Sequence, residues 1–414
     1  MTDIGIVGAG TAGLHLGLLL RRHDIPVTIY TDRSADDVRG GRLPNSVAHH
    51  AVTVAREQEL GVDHWPVEEY GYGCHHHFVG GPNLFYRGDF VSPSRAVDYR
   101  IYQPALMGDF EDRGGRIEIR SVEADDLGSL AARHDAIIVA SGKRSLGEFF
   151  GIRAEKSPYA KPMRRLMVGL WTGVARTEPH GVTLSIAPGH GELIDIPIYS
   201  FAGHVNALLF ENVPGGDTEV LADARYEDDP EAFRRLVLDK LRMHHPTVFE
   251  RVDESAFQLT STQDLLQGAV TPVLRNDYRV LDDGTVVIAA GDVHSVLDPV
   301  VGQGANSASY SGYTVGEEIL EDRGFGEDLG RRAAERRRER IEAVSDWTNL
   351  MVQLPPADHI IQLLGAMSQD KALCDEFTEN FNHPVRQWRD VVGSPEIAAA
   401  AIARHAHEGE PAHA

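Results

Sequence analysis

The sequence predicts an α/β protein: a Rossmann-like domain, a mixed or antiparallel sheet domain inserted into it, and a helical C-terminal tail. Three observations carry this reading. A strand, a glycine loop, a helix and a second strand follow one another in the first 30 residues. Another strand runs into a glycine-rich loop and a helix near residue 290. Strand-like segments occupy much of the stretch between the two.

Ile4-Gly5-Ile6-Val7 reads as a short buried strand, an apolar run closed by glycine. Gly8-Ala9-Gly10-Thr11-Ala12-Gly13 comes next, then a helix over 14–22 and a second apolar strand, Val27-Thr28-Ile29-Tyr30. In that setting the glycines have separate tasks. Gly8 permits the tight turn, Gly10 lets backbone approach a pyrophosphate, and Gly13 lets the helix pack closely on the strand. The free N–H groups at the helix start, by Thr11 and Ala12, then face phosphates at the positive end of the helix dipole. The competing reading is a purely structural glycine turn. The acidic residue expected at the end of the second strand is displaced: Thr31 stands there, with Asp32 one place beyond. Looser adenosine binding is the expected consequence.

The second signal is a buried-type strand over 285–290 ending in Gly291-Asp292, followed by Pro299, Gly302, Gly304, Ala305, Asn306 and a helix over 307–320. Two such motifs in this order resemble the FAD-binding fold of aromatic-hydroxylase-type flavoprotein monooxygenases. The resemblance implies that Asp292 holds the ribityl chain and that the loop over 299–306 faces the flavin ring. A helix N-terminus there would stabilise negative charge on the reduced cofactor. Single-component members carry Asp-Gly after a mid-chain strand. Here Asp135-Ala136-Ile137-Ile138-Val139-Ala140 runs into Ser141-Gly142 instead, and no second glycine fingerprint for a nicotinamide follows. The chain is therefore expected to receive its flavin already reduced.

Longer strings give a closer resemblance. Arg42-Leu43-Pro44-Asn45-Ser46-Val47-Ala48-His49-His50-Ala51-Val52-Thr53-Val54, Glu69-Tyr70-Gly71-Tyr72, Pro93-Ser94-Arg95-Ala96-Val97-Asp98-Tyr99-Arg100, Pro188-Gly189-His190-Gly191-Glu192-Leu193-Ile194 and Phe377-Thr378-Glu379-Asn380-Phe381-Asn382 are similar to the oxygenase component of styrene monooxygenase, and the similarity runs nearly end to end. At the positions that separate styrene from indole enzymes, Asn45, Val47, His49, Tyr72, His75 and Ser94 match the styrene type. Ser46, Gly73-Cys74 and His76-His77 depart from the family pattern, which leaves pocket size and substrate range open.

The resemblance implies epoxidation of a small aromatic alkene with O2 and FAD used as FADH2, through a flavin C4a-hydroperoxide, with an NADH-dependent flavin reductase as partner. It places Asn45 and Ser46 on the flavin or its peroxide, and Tyr72, His75 and Ser94 around the substrate. Val47, with Leu208, Leu209 and Phe210, would form an apolar wall. Family position also gives Arg42 and Arg100 contacts to the pyrophosphate or ring. The rival readings are an indole or sulfide monooxygenase of the same family and a non-catalytic carrier on the same fold.

Other features mainly exclude. The chain has 414 residues with 40 basic against 62 acidic side chains, net −22, which opposes nucleic acid and anionic lipid as partners. Two cysteines rule out a disulfide framework and suit a reducing compartment. No signal peptide is read, and the apolar window over 4–20 holds five glycines, too polar to span a membrane, so a cytoplasmic protein is expected. Cys74-His75-His76-His77 invites a metal, but on a strand His75 and His77 would face one way and Cys74 and His76 the other, so none is expected. The arginine-rich run over 331–340 reads mostly as a solvated helix face threaded with glutamates.

The division expected is a discontinuous FAD domain from 1–60, 95–150 and 270–325, a substrate domain from 61–94 and 151–269, and C-terminal helices over 326–414. Within these, helices are expected over 95–113 and 230–244 and strands over 182–186, 194–200 and 205–213. The tail should break at Pro355-Pro356 and Pro384 and fray from 398 onward. A homodimer is left open.

Overall fold

The protein is described by a computed structural model covering residues 2–408. Fraying was expected from 398 onward, but the helix Pro395–Glu408 runs through the first part of that stretch; 409–414 lie outside the described residues.

A six-stranded sheet forms the first layer. Its order is Tyr278–Val280, Val286–Ala289, Ala136–Val139, Ile4–Val7, Val27–Thr31 and Arg116–Ile119. All neighbours are parallel except the first pair. Ile6 lies opposite Ile29 on one side and Ile138 on the other, and Ile138 opposite Ile288. All four are fully buried, which is why these strands read as unbroken apolar runs rather than alternating ones.

Two helices lie against this sheet and carry the two glycine loops. Thr11–Arg22 and Gly304–Leu320 each begin three residues earlier than the sequence reading placed them, because the last residues of each loop are already helical. They cross in near-backbone contact. A Cβ on Gly312 would meet the Ala12 carbonyl oxygen at 2.2 Å, and one on Gly316 would meet Leu19 at 2.8 Å. Glycine is required there by the closeness of approach.

The second sheet has nine strands, in the order Gln258–Leu259, Arg165–Thr172, Gly203–Asn212, Gly191–Ser200, Gly181–Ala187, Gly71–Val79, Leu84–Ala96 and Ala48–His49, with Leu265–Gly268 also pairing with Arg165–Thr172. Most pairs are antiparallel, but Gly71–Val79 runs parallel to Gly181–Ala187, so the sheet is mixed. One face packs on the helix Pro230–His244, through Met167, Leu193, Leu208, Phe210, Phe233 and Val237. The other, with Val168, Val182, Ile194, Ile196 and Leu209, turns toward the first layer.

The tail is helical: Glu327–Met351, Asp358–Met367, Lys371–Glu379 and Pro395–Glu408, with a shorter helical stretch over 384–392 before the last. It breaks around Pro355-Pro356 and Pro384 because proline cannot supply the amide a continuing helix needs. Lys371–Glu379 presses on Leu84–Ala96 so closely that a Cβ on Gly88 would meet Thr378 Oγ1 at 2.0 Å. The arginine-rich run is mostly the solvated face expected, with Arg331 and Arg336 paired to acidic neighbours. Arg337 departs furthest from that face. It is fully buried and donates to the Ala289 and Asp277 carbonyls and to Ser311 Oγ, tying the tail to the sheet edge beneath the second loop.

Gly312→Ala is expected to destabilise the protein by about 1–3 kcal/mol, since the new methyl meets backbone that cannot rotate away. A thermal melt checks this, and an unchanged Tm would mean that the two helices separate freely.

Candidate functional site

The first loop is built as its glycines require. Gly8 has φ +114°, and a Cβ there would strike the Ala140 carbonyl at 2.6 Å. A Cβ on Gly13 would sit 2.0 Å from the Gly8 oxygen, so only glycine lets the helix close on its own loop. Gly10 is nearly free of neighbours and faces open space. No acidic residue occupies the first turn of Thr11–Arg22, which leaves its N-terminal amides and positive dipole end for an anion. In the second loop, Gly302 has φ +59° and turns the chain into Gly304–Leu320.

Both loops open on one cavity of about 630 Å³. At one end stand Gly8, Gly10, Thr11, Ala12, Thr31, Asp32 and Asp292. In the middle are Asn45, Ser46, Val47, Pro299, Gly302, Gly304 and Ala305. The far end is an apolar chamber of Val168, Val182, Leu184, Ile194, Ile196 and Leu209, closed by Tyr72, His75 and Phe381. Asp292 sits deep among protein atoms but opens to the cavity, and desolvation raises its carboxyl pKa against the opposing pull of Arg275. Asn45 Oδ1 and His50 Nε2 are buried without a hydrogen-bond partner among the described residues.

Several expected contacts go elsewhere. Arg42 is a surface residue paired with Glu227 at 2.9 Å. Arg100 is buried in a double ion pair with Asp98 and Asp264, both at 2.5 Å, so its charge is neutralised before any phosphate arrives. Asn306 does not face the cavity. Its amide accepts from the His50 amide at 2.9 Å and Thr53 Oγ1 at 2.8 Å and donates to the Ala48 and Gly302 carbonyls, so it ties the loop shut from behind. Gly13 is packed beneath its loop, as close helix–strand packing requires, and so is not itself on the cavity wall. Ser94 is fully buried behind His50, with Ser94 Oγ 3.1 Å from His50 Nδ1. Leu208 and Phe210 face the helix-covered side of their strand, because alternation leaves only Leu209 on the cavity side. His49 is also off the wall. It lies in a buried network with Glu57 and Tyr99.

Other residues outside the expected site set reach the cavity. His50 takes the place expected of His49. Tyr99 and Gln103 project from the helix Tyr99–Asp112, Gln103 donating to the Ala9 carbonyl at 2.6 Å. Four-residue spacing could have marked that pair. Phe381, from the tail, carried no signal beyond its family string.

The imidazoles at the chamber are neutral. Burial lowers His50 to about 3 and holds His75 well below its ordinary value, helped in each case by neighbouring histidines. His75 contacts Phe90 and Phe381 edge-on, both with ring centroids 4.7 Å apart. Its neighbours alternate as a strand requires, with His76 Nε2 turned away to Cys74 Sγ and the Pro179 carbonyl. Behind the second loop lies an acid pair. Glu211 and Asp298 are both fully buried, and apart from each other no donor among the described residues reaches Glu211 Oε1, Glu211 Oε2 or Asp298 Oδ2. Desolvation, with Asp298 alongside, pushes the Glu211 carboxyl well up, and it holds the proton the pair shares.

A cavity joining two glycine loops at helix N-termini to an apolar chamber on a second sheet defines the flavoprotein monooxygenase class of the aromatic-hydroxylase type. Two solved structures share the architecture. The flavin-dependent brominase Bmp2 is 14% identical, with a TM-score of 0.70 over 98% of this chain and 99% of that one. PqsL, a probable FAD-dependent monooxygenase from Pseudomonas aeruginosa, is 17% identical, with a TM-score of 0.62 over 85% and 95%. Residues 142–251 match the family model described as "Styrene monooxygenase A putative substrate binding domain". Over 404 residues, 95% of each chain, this sequence is 50% identical to styrene monooxygenase StyA of Pseudomonas fluorescens. The chain belongs to the styrene monooxygenase family.

The acid pair has a thermodynamic signature. With its carboxyl raised, folded Glu211 keeps a proton that the unfolded chain loses above roughly pH 4.3, so its contribution to stability is present at low pH and falls as pH rises. Glu211→Gln keeps a donor without the titration. Its Tm is expected to fall less steeply than the parent's as pH rises above about 4.3; parallel curves would show that the pair does not titrate.

Proposed function

We propose that this protein is an FADH2-dependent epoxidase of styrene-like vinyl aromatics, supplied with reduced flavin by a separate NADH-dependent reductase. The single observation that carries the reading is the continuity of the cavity from phosphate-type glycine loop to apolar chamber, in a chain that is half identical to styrene monooxygenases across its length.

The residues present fit FAD. The cradle at Gly8, Gly10 and Gly13 cannot accept side chains at its two tight points, and Asn45 Oδ1 and His50 Nε2 are polar atoms awaiting a partner. Thr11 and Ala12 would hold the pyrophosphate through helix-start amides, Thr31 and Asp32 would border the adenosine ribose, and Asp292 would take ribityl hydroxyls. When bound and reduced, the flavin activates O2 and supplies the oxygen atom that is transferred. The protein's part is to bind, orient and exclude water.

An alkene needs no deprotonation, and no base is poised at the chamber: His50 and His75 are neutral and half-enclosed by Phe90 and Phe381. Apolar walls from Val182, Leu184, Ile194 and Leu209 recognise an aromatic hydrocarbon by burial alone, worth about 25 cal/mol per Å². Asn45, at the junction of chamber and loops, would hold the flavin edge, with Ser46 beside it. Ser141-Gly142 line the cavity where an aspartate would serve a nicotinamide-reduced enzyme, which supports the reductase partner.

Two outcomes are expected. With styrene, O2, FAD and NADH the chain alone yields no epoxide, and adding a flavin reductase restores styrene oxide; NADH-dependent turnover without reductase would refute the reading. If indole is oxidised faster than styrene under the same supply, the substrate assignment is wrong while the flavin chemistry stands. Asn45→Ala is expected to raise hydrogen peroxide relative to epoxide by roughly fivefold, the equivalent of one hydrogen bond worth about 1 kcal/mol. An unchanged ratio would mean that Asn45 only packs.

A further inference from the structure

Beneath the first glycine loop runs an unbroken buried hydrogen-bond chain. Thr11 Oγ1 lies 2.8 Å from the Tyr99 hydroxyl, which lies 2.8 Å from His49 Nε2. His49 Nδ1 lies 2.6 Å from Glu57 Oε1. Glu57, His49, Tyr99 and Thr11 come from three helices and the strand between them, and none is more than 7% exposed. Only the cavity-facing end, at Thr11 and Tyr99, opens to a ligand.

The direction of every bond in this chain follows from Glu57. Arg95 donates to Glu57 Oε2, and Tyr102 donates to Oε1 at 2.7 Å. Burial opposes its charge, but the buried ion pair with Arg95 and the hydrogen bond from His49 keep the carboxyl ionised. Glu57 is therefore an acceptor only, and His49 Nδ1 must carry a hydrogen. With a neutral ring, Nε2 is then an acceptor. Tyr99, whose phenol burial keeps protonated, donates to it, and Thr11 donates to the Tyr99 oxygen. In this state Thr11 turns its hydroxyl hydrogen inward and shows lone pairs to the cavity beside the glycine loop. That is the wrong polarity for a phosphate.

One proton reverses all of it. If His49 Nε2 gains a proton from solvent, Nε2–H donates to the Tyr99 oxygen, Tyr99 donates to Thr11 Oγ1, and the Thr11 hydroxyl is free to donate into the cavity. No bond between heavy atoms changes, and the imidazolium is balanced by Glu57. The groups facing His49 are Glu57, Tyr99, Tyr102 and His15, with Arg95 beyond the carboxylate and His50 next in the chain. His15 does not compete, because burial lowers it to about 4 despite Glu57.

We propose that binding of the flavin's pyrophosphate at the first glycine loop is coupled to uptake of a proton at His49, transmitted through Tyr99 to Thr11. His49 is thus a positioning residue that acts through Tyr99 rather than a group on the substrate. The inference rests on the FAD reading above, and the experiment separates the two. FAD is titrated calorimetrically into the full chain above neutral pH in two buffers of different ionisation enthalpy. A buffer-dependent heat corresponding to uptake of up to about one proton per FAD is expected, with Kd rising by as much as about tenfold per pH unit. Tyr99→Phe and Thr11→Val, which keep shape but cut the chain, are each expected to lose the buffer dependence while still binding FAD. Binding with buffer-independent heat in the parent overturns the proposal, as does full proton uptake in Tyr99→Phe. Absence of FAD binding by ultrafiltration overturns the cofactor reading instead.

Discussion

Much of this molecule follows from how closely two helices approach. With no side chain at Gly312, the helix Gly304–Leu320 lies against the Ala12 backbone, and the N-termini of both helices open on the one cavity. Each N-terminus is a positive dipole end that favours negative charge in the cavity. This accounts for how a chain of net charge −22 can present an attractive site to a dinucleotide. The local field at the loops, not the overall charge, decides what enters.

The rest of the site is defined by charges kept out of it. Arg100 is neutralised by Asp98 and Asp264, Arg95 by Glu57 and Asp63, and Arg337 is spent on backbone carbonyls. The histidines that reach the chamber are too deeply buried to ionise. What remains facing the substrate end is neutral and apolar. That suits oxygen transfer to a hydrocarbon, where water must be excluded and no proton need leave the substrate. The buried carboxylates sit one layer back: Glu57, bonded to His49, under the first loop and Glu211–Asp298 behind the second.

The nine-stranded sheet and the tail together make the chamber. Alternation along Gly203–Asn212 gives Leu209 to the cavity and Leu208 and Phe210 to the opposite core. Phe381 closes the chamber from a segment some 170 residues farther along the chain. Substrate shape is therefore set jointly by strands and tail.

The strands Ile4–Val7, Val27–Thr31 and Val286–Ala289, the two glycine loops, the helix Pro230–His244 and the breaks at the prolines were all legible in the sequence, because each depends on local periodicity or on residues with restricted backbone geometry. Thr11 and Asp292 follow from those same loops, while Asn45, Tyr72 and His75 came only from the family resemblance; the structure places all five on one cavity. Arg42, Arg100, His49 and Asn306 could not be placed that way. An arginine's sequence position does not say whether Glu227 or Asp264 will reach it first, and two adjacent histidines do not say which points inward. Those outcomes turn on partners brought from elements 50 to 256 residues away. Local backbone chemistry is written in the chain; the choice of partner for a long polar side chain is made only when the layers close.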